Sequence, residues 1–255
     1  MAAEEAGRLY EGERYWEHGG PSHGYASYAA MEPLLVKTFV RRLKLLPPPS
    51  PGERLLDVGC GPGAGLAVAR ALGWDAFGLD PSAAAVAAAS ARFGDRVRLG
   101  SLSERLFPPR SFGVITLFDV VEHLYDPRRL AEDLDAHLAL GGRLLIATPN
   151  CESLLARLTG PRWVSYKVPE HVIFYSPRTL REALRPLFEL EQVQPCGQLA
   201  SLDFLFERTA AALPAGGGVL RRLARIPAAR RVTLWANSGS MLAVARRAPD
   251  RKAAA

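Results

Sequence analysis

Two groups of residues in this sequence have the types and spacing that chemistry needs. The first is Asp57-Val58-Gly59-Cys60-Gly61-Pro62-Gly63, followed at a distance by Asp80-Pro81. Glycines let a backbone turn sharply and approach a ligand that a side chain would block. A helix opening after such a turn aims its N-terminal amides at the same place, which suits a carboxylate or a phosphate. An acid ending the next strand can accept two hydrogen bonds from a ribose diol. The combination predicts a nucleoside-containing ligand at the carboxyl edge of a sheet. Gly59-x-Gly61-x-x-Ala64 also fits a dinucleotide fingerprint, and a purely structural turn would fit as well. Asp57 separates these readings, because a carboxylate there would repel a pyrophosphate but suits an ammonium.

The second group is Asp119, Glu122 and His123, with His171 further on. If residues 119–123 form a helical turn, the first three share one face by their i, i+3, i+4 spacing. Two carboxylates and two imidazoles could ligate Mg²⁺, Mn²⁺ or Zn²⁺. Without a metal, His123 or His171 could act as an acid, a base or an orienting group. The structural alternative has Glu122 capping or pairing locally while His123 packs at the sheet edge.

The elements that must position these groups alternate. The tract Pro47-Pro48-Pro49-Ser50-Pro51-Gly52 ends a helical segment, since proline lacks the donor and the freedom a helix requires. Apolar residues at Leu35, Phe39, Leu43 and Leu46 give that segment a helical period. Beyond it, strands are expected at Arg54–Val58, Asp75–Leu79, Val97–Leu99, Val114–Phe118, Arg143–Ala147, Phe188–Val193 and Met241–Ala245. Helices are expected over 64–72, from Ser82 to about Phe93, over 130–140 and after Ser176-Pro177. Such alternation predicts a doubly wound, Rossmann-like α/β fold with a mostly parallel seven-stranded sheet. The expected organisation is an N-terminal helical lid segment, 1–50, and one domain, 51–255, with a helical insertion at about 198–236.

Composition fits an ordinary globular chain of 255 residues, 48% apolar and 23% charged. The three cysteines are scattered and show no zinc or CxxC spacing. The first residues lack a basic-then-apolar leader, so a reduced, cytoplasmic protein is expected. No apolar run approaches the length of a membrane span. The net charge of +6 is uneven: ten basic residues face only Asp250 between Arg208 and Ala255. A solvated face explains such a run, as does attraction to nucleic acid, anionic lipid or a phosphorylated substrate. The stretch Val219–Ile226, with Arg221, Arg222 and Arg225, is amphipathic and could rest on a membrane surface.

Several motifs occur in an order that resembles the class I S-adenosylmethionine-dependent methyltransferases. They are Asp57-Val-Gly-Cys-Gly-Pro-Gly63, Asp119-Val-Val-Glu-His123, Gly141-Gly142 before a strand, Thr148-Pro149-Asn150 and Pro169-Glu170-His171. The branch resembled is that of the ubiquinone-biosynthesis O-methyltransferases. The resemblance implies S-adenosylmethionine as cofactor and a last strand that runs antiparallel. It implies that Asp80 binds the ribose, that Gly59, Gly61 and Gly63 flank the methionyl part, and that Ser101-Leu102 lie beside the adenine. Asp57, Cys60, Pro81 and Phe118 complete the expected cofactor site, with Tyr25 and Tyr28 as lid contacts. Acid-x-x-Glu-His followed by a later histidine also resembles metal-dependent small-RNA 3′-end methyltransferases. Ser101 and Gly113 stand where the branch often carries acids. The expected activity is methyl transfer to a hydroxyl of a small or lipid-linked acceptor. Metal-dependent RNA 2′-O-methylation and a non-catalytic, cofactor-binding scaffold are the rival readings.

Overall fold

A computed structural model describes residues 28–212 and 217–248. The chain enters through helix α1 (Tyr28–Leu43) and then forms β1 (Arg54–Val58), α2 (Ala64–Ala71), β2 (Asp75–Asp80), α3 (Ala83–Phe93) and β3 (Val97–Leu99). It continues with β4 (Phe112–Phe118), α4 (Pro127–His137), β5 (Leu138–Pro149), α5 (Leu154–Thr159), α6 (Pro177–Leu184) and β6 (Phe188–Ser201). Helices α7 (Leu202–Ala212), α8 (Gly217–Ala224) and α9 (Pro227–Arg231) precede β7 (Thr233–Arg247). Among the described residues no helix is long and apolar enough to cross a membrane.

The strands form one sheet in the order β3-β2-β1-β4-β5-β7-β6. Strands β1 to β5 pair in parallel, and β7 runs antiparallel to both neighbours. This is the doubly wound, seven-stranded arrangement expected. The inner strands alternate between two apolar layers, because successive side chains point to opposite faces. Leu56, Ile115, Leu144 and Ala245 pack with Leu130 and Leu134 of α4 and Leu180 and Leu184 of α6. Leu55, Val114, Leu145 and Val244 pack with Leu43 of α1 and Leu66 and Ala69 of α2. Strands buried on both faces read as apolar runs, which made β1 and β4 legible.

Two boundaries differ from expectation. Strands β6 and β7 stay paired out to Ser201↔Thr233, so the inserted helices occupy 202–231 rather than 198–236. Register shifts near Gln192 and Gln198 break the alternation that would have revealed the longer strands. The helix expected over 130–140 instead runs from 127 to 137. Asp126 caps it by accepting from the amides of Arg128 and Arg129. Of the lid expected over 1–50, residues 1–27, including Tyr25, lie outside the described residues, while Tyr28 is the first residue of α1.

Candidate active site

Strand β1 delivers Asp57 and Val58 to a turn in which Gly59, Gly61 and Gly63 all have positive φ. A Cβ on Gly59 would lie 2.6 Å from Val120, so the turn closes directly on the loop after β4. The turn's amides are already occupied. Those of Gly59 and Cys60 donate to the Leu79 carbonyl, and that of Gly63 donates to Cys60. The Gly61 amide donates to Asp80 Oδ2 at 2.8 Å, while the Ser82 amide donates to Oδ1 at 2.9 Å. Asp80 therefore fastens the turn, a role that its position on the strand did not disclose. Pro81 follows it directly, and Ser82 caps α3 as expected.

Asp57 is buried beneath the turn and accepts from Thr116 Oγ1 at 2.6 Å. A Cβ on Gly65 would sit 2.4 Å from Asp57 Oδ2, so the first turn of α2 lies against the carboxylate. Burial, reinforced by Asp80, pushes Asp57 up to about 7 against the opposing hydrogen bond from Thr116 and the charge of Arg42. Burial also raises Asp80. Cys60 turns its side chain into the core beside Gly78 and Leu66, so only its backbone belongs to the turn. At the end of β3, Ser101 opens a capping box with Glu104, and Leu102 is buried. Phe118 stacks on Phe39 of α1 with ring centroids 5.3 Å apart. A Cβ on Gly113 would meet the Glu53 side chain, 2.6 Å from Oε1.

The second group assembles in a different form from the one expected. Residues 119–123 do not make a continuous helical turn. Asp119 has φ 58, and a 3₁₀ turn begins only at Val121. The Asp119 carboxylate consequently meets Arg42 of α1 at 3.4 Å and stays outside the cluster expected of it. Glu122, His123 and His171 do converge, with candidate ligand atoms all within 4.8 Å of one another. The segment carrying His171 is stitched to this turn, because the amides of Val172 and Ile173 both donate to the Glu122 carbonyl. The two imidazoles pack edge to face at 4.8 Å.

Each histidine has its Nδ1 2.8 Å from a backbone carbonyl, His123 to Glu170 and His171 to Ser165. A carbonyl only accepts, so both Nδ1 atoms carry the proton and each neutral ring keeps a lone pair at Nε2. Burial lowers both histidines. Charges at His123 and Lys167 add to the effect on His171, which falls to about 3. Glu122 is buried; Oε2 accepts from Thr148 at 2.9 Å, and Oε1 has no hydrogen-bond partner. Burial and the nearby Asp119 push Glu122 up to about 8.

These residues form one wall of a cleft of about 730 Å³, open mouth included. Arg42, Lys167, Arg208 and Asp119 line it as well. Sequence reasoning passed over Thr116, Arg42 and Lys167, and named Thr148 only within the Thr148-Pro149-Asn150 motif, not as a partner of Glu122. The two threonines were signalled by being polar positions in otherwise apolar strands. Arg42 carried no signal, since it reads as one of several basic residues on a helix surface.

The description "Methyltransferase domain" fits the family model that matches residues 30–187. A Mycolicibacterium smegmatis protein named "Probable S-adenosylmethionine-dependent methyltransferase" is 35% identical over 100 residues, 39% of either chain. The ubiquinone biosynthesis O-methyltransferase of Paraburkholderia phymatum is 30% identical over 127 residues, 47% of this chain and 55% of that one. The matches thus span about half or less of these relatives' lengths. A Haloferax volcanii structure of the Trm112 methyltransferase activator with a methyltransferase superposes with a TM-score of 0.62 at 22% identity, covering 87% of this chain and 93% of that one.

Proposed function

The chain belongs to the methyltransferase-domain family, and from that membership we propose that it transfers a methyl group from S-adenosylmethionine to a hydroxyl of a small or lipid-linked acceptor. The donor lies along the glycine turn, with Asp80 at the ribose and Asp57 toward the ammonium of the methionyl part. The acceptor occupies the cleft beyond Val120. The observation that carries the hydroxyl reading is the wall made by Glu122, His123 and His171. An alcohol or phenol becomes a competent nucleophile toward a sulfonium methyl group as its proton leaves. With Nδ1 protonated, each ring presents Nε2 as its accepting nitrogen, and Glu122 Oε1 has no hydrogen-bond partner. Displacement is otherwise a matter of alignment and exclusion of water, which the closely packed turn and loop provide.

The same three side chains fit a divalent cation. Glu122 Oε1 is orphaned, and each histidine is anchored through Nδ1–H, as metal-binding histidines are. Mg²⁺, Mn²⁺ or Zn²⁺ held by Glu122 and the two Nε2 atoms would lower the pKa of an acceptor hydroxyl. Asp119 has no part in this set. Exposed Val219 and Ile226 beside the arginines of α8 and α9 support contact of this basic part with an anionic membrane surface.

The test is product analysis by mass spectrometry after incubation with S-adenosylmethionine and a panel of phenols, catechols and RNA oligonucleotides, each with and without EDTA. An O-methylated phenol or catechol is expected. Activity should be lost with EDTA and restored by one of the three cations, and Glu122→Gln should bind the donor yet turn over poorly. Methylated RNA alone would install the metal-dependent 2′-O-methylation reading, and donor binding without any product would install the scaffold.

A further inference from the structure

Glu122 comes to the cleft with its two carboxylate oxygens in unequal situations. Oε2 accepts from Thr148 Oγ1 at 2.9 Å, while Oε1 has no hydrogen-bond partner among the described residues. We propose that Thr148 is a positioning residue for a metal. It holds Glu122 as a one-oxygen ligand beside two imidazole nitrogens, a set that takes a zinc-like cation in preference to Mg²⁺. The inference rests on reading Glu122, His123 and His171 as a cation site.

Thr148 and Glu122 are both buried, so water does not compete for the bond between them. Thr148 follows the apolar run Leu144–Ala147 in β5, where a hydroxyl is costly unless it finds a partner. Neither protonation state satisfies Oε1. Ionised, it is an acceptor with no donor; protonated, it is a donor with no acceptor. A buried polar atom left in that position calls for a partner from outside the chain. His123 and His171 stand beside it with their rings fixed through Nδ1 on the Glu170 and Ser165 carbonyls, each at 2.8 Å. Because Asp119 is drawn to Arg42, the cluster sets one carboxylate against two imidazoles. Mg²⁺ favours oxygen donors, whereas imidazole suits zinc and its neighbours in the transition series. Occupying Oε2 with Thr148 denies the ion even the second oxygen of Glu122.

Co²⁺, Zn²⁺ and Mg²⁺ are titrated calorimetrically into the complex with S-adenosylhomocysteine, and the visible spectrum of bound Co²⁺ is recorded. Co²⁺ and Zn²⁺ should each bind about tenfold or more tightly than Mg²⁺. Thr148→Val should weaken Co²⁺ binding by about 10–100-fold, as loss of a hydrogen bond to a metal ligand does, and should alter the spectrum. Thr148→Ser keeps the hydroxyl and should retain both affinity and spectrum. Unchanged affinity for S-adenosylhomocysteine separates this effect from loss of the fold, and Thr148→Ala takes the place of the valine variant if that one does not fold. Mg²⁺ bound as tightly as Co²⁺, Co²⁺ affinity unchanged without the hydroxyl, or equal weakening in Thr148→Ser overturns the inference and leaves the cation site standing. Binding of none of the three ions overturns the cation site and the inference with it.

Discussion

At the scale of single residues, the site depends on carboxylates kept where water does not reach. Asp57 is the clearest case. Burial lifts its folded pKa to about 7, above the range of an exposed carboxylate. A raised folded value means the native state holds its proton longer than the unfolded chain does. The resulting stability is complete below the unfolded pKa and is lost as pH rises through about 7. The bound donor's ammonium would repay that ionisation, so affinity for S-adenosylmethionine should increase from about pH 6 to about pH 8 and then level off. Calorimetry across that window checks it: Asp57→Asn should bind more weakly and flatten the profile, and a flat wild-type profile would contradict the assigned role. The positions of Asp57 and Asp80 in their strands were legible because apolar runs mark β1 and β2, Asp57 two residues before the glycine turn and Asp80 closing β2. Asp119 was misplaced because a left-handed φ at a non-glycine residue leaves no mark in sequence spacing. That single dihedral turns its carboxylate toward Arg42, which dissolved the four-ligand set that i, i+3, i+4 counting had suggested.

At the scale of elements, the site is a joint between two loops. Gly59 touches Val120, and the Glu122 carbonyl holds the segment that brings His171. Gly59→Ala would need both a left-handed backbone at alanine and displacement of Val120. It should destabilise the fold by about 1–3 kcal/mol and weaken donor binding, read by thermal denaturation and calorimetry. The caps are more local. Ser176 accepts from the Thr179 amide and opens α6, so Ser176→Ala should lower stability by about 1 kcal/mol without changing donor affinity. A loss of affinity there would show that α6 supports the site more directly than its position suggests. Caps and buried parallel strands were readable because each follows a local rule. The long β6–β7 ribbon was not, because its pairing runs through register shifts that erase the two-residue period.

At the scale of the whole molecule, the sheet order brings the glycine turn, the loop after β4 and the histidine segment together, while the basic C-terminal part reaches the cleft through Arg208 of α7. If that part meets anionic lipid, the protein should cosediment with phosphatidylglycerol vesicles but not with neutral ones. Added salt should release it, as screening of exposed charges requires. Replacing Arg221, Arg222 and Arg225 with Glu should abolish the binding and spare donor affinity; unchanged sedimentation would return the run to a solvated face. The alternation of strands and helices made the topology readable, but the convergence of cations from three elements on one cleft emerges only in three dimensions. The account's central claim is that the turn and Asp80 bind S-adenosylmethionine as methyl donor, and calorimetric titration of that ligand tests it most directly. Roughly micromolar binding is predicted, weakened about tenfold or more in Asp80→Asn. Tight binding of NADH with none of S-adenosylmethionine would contradict it.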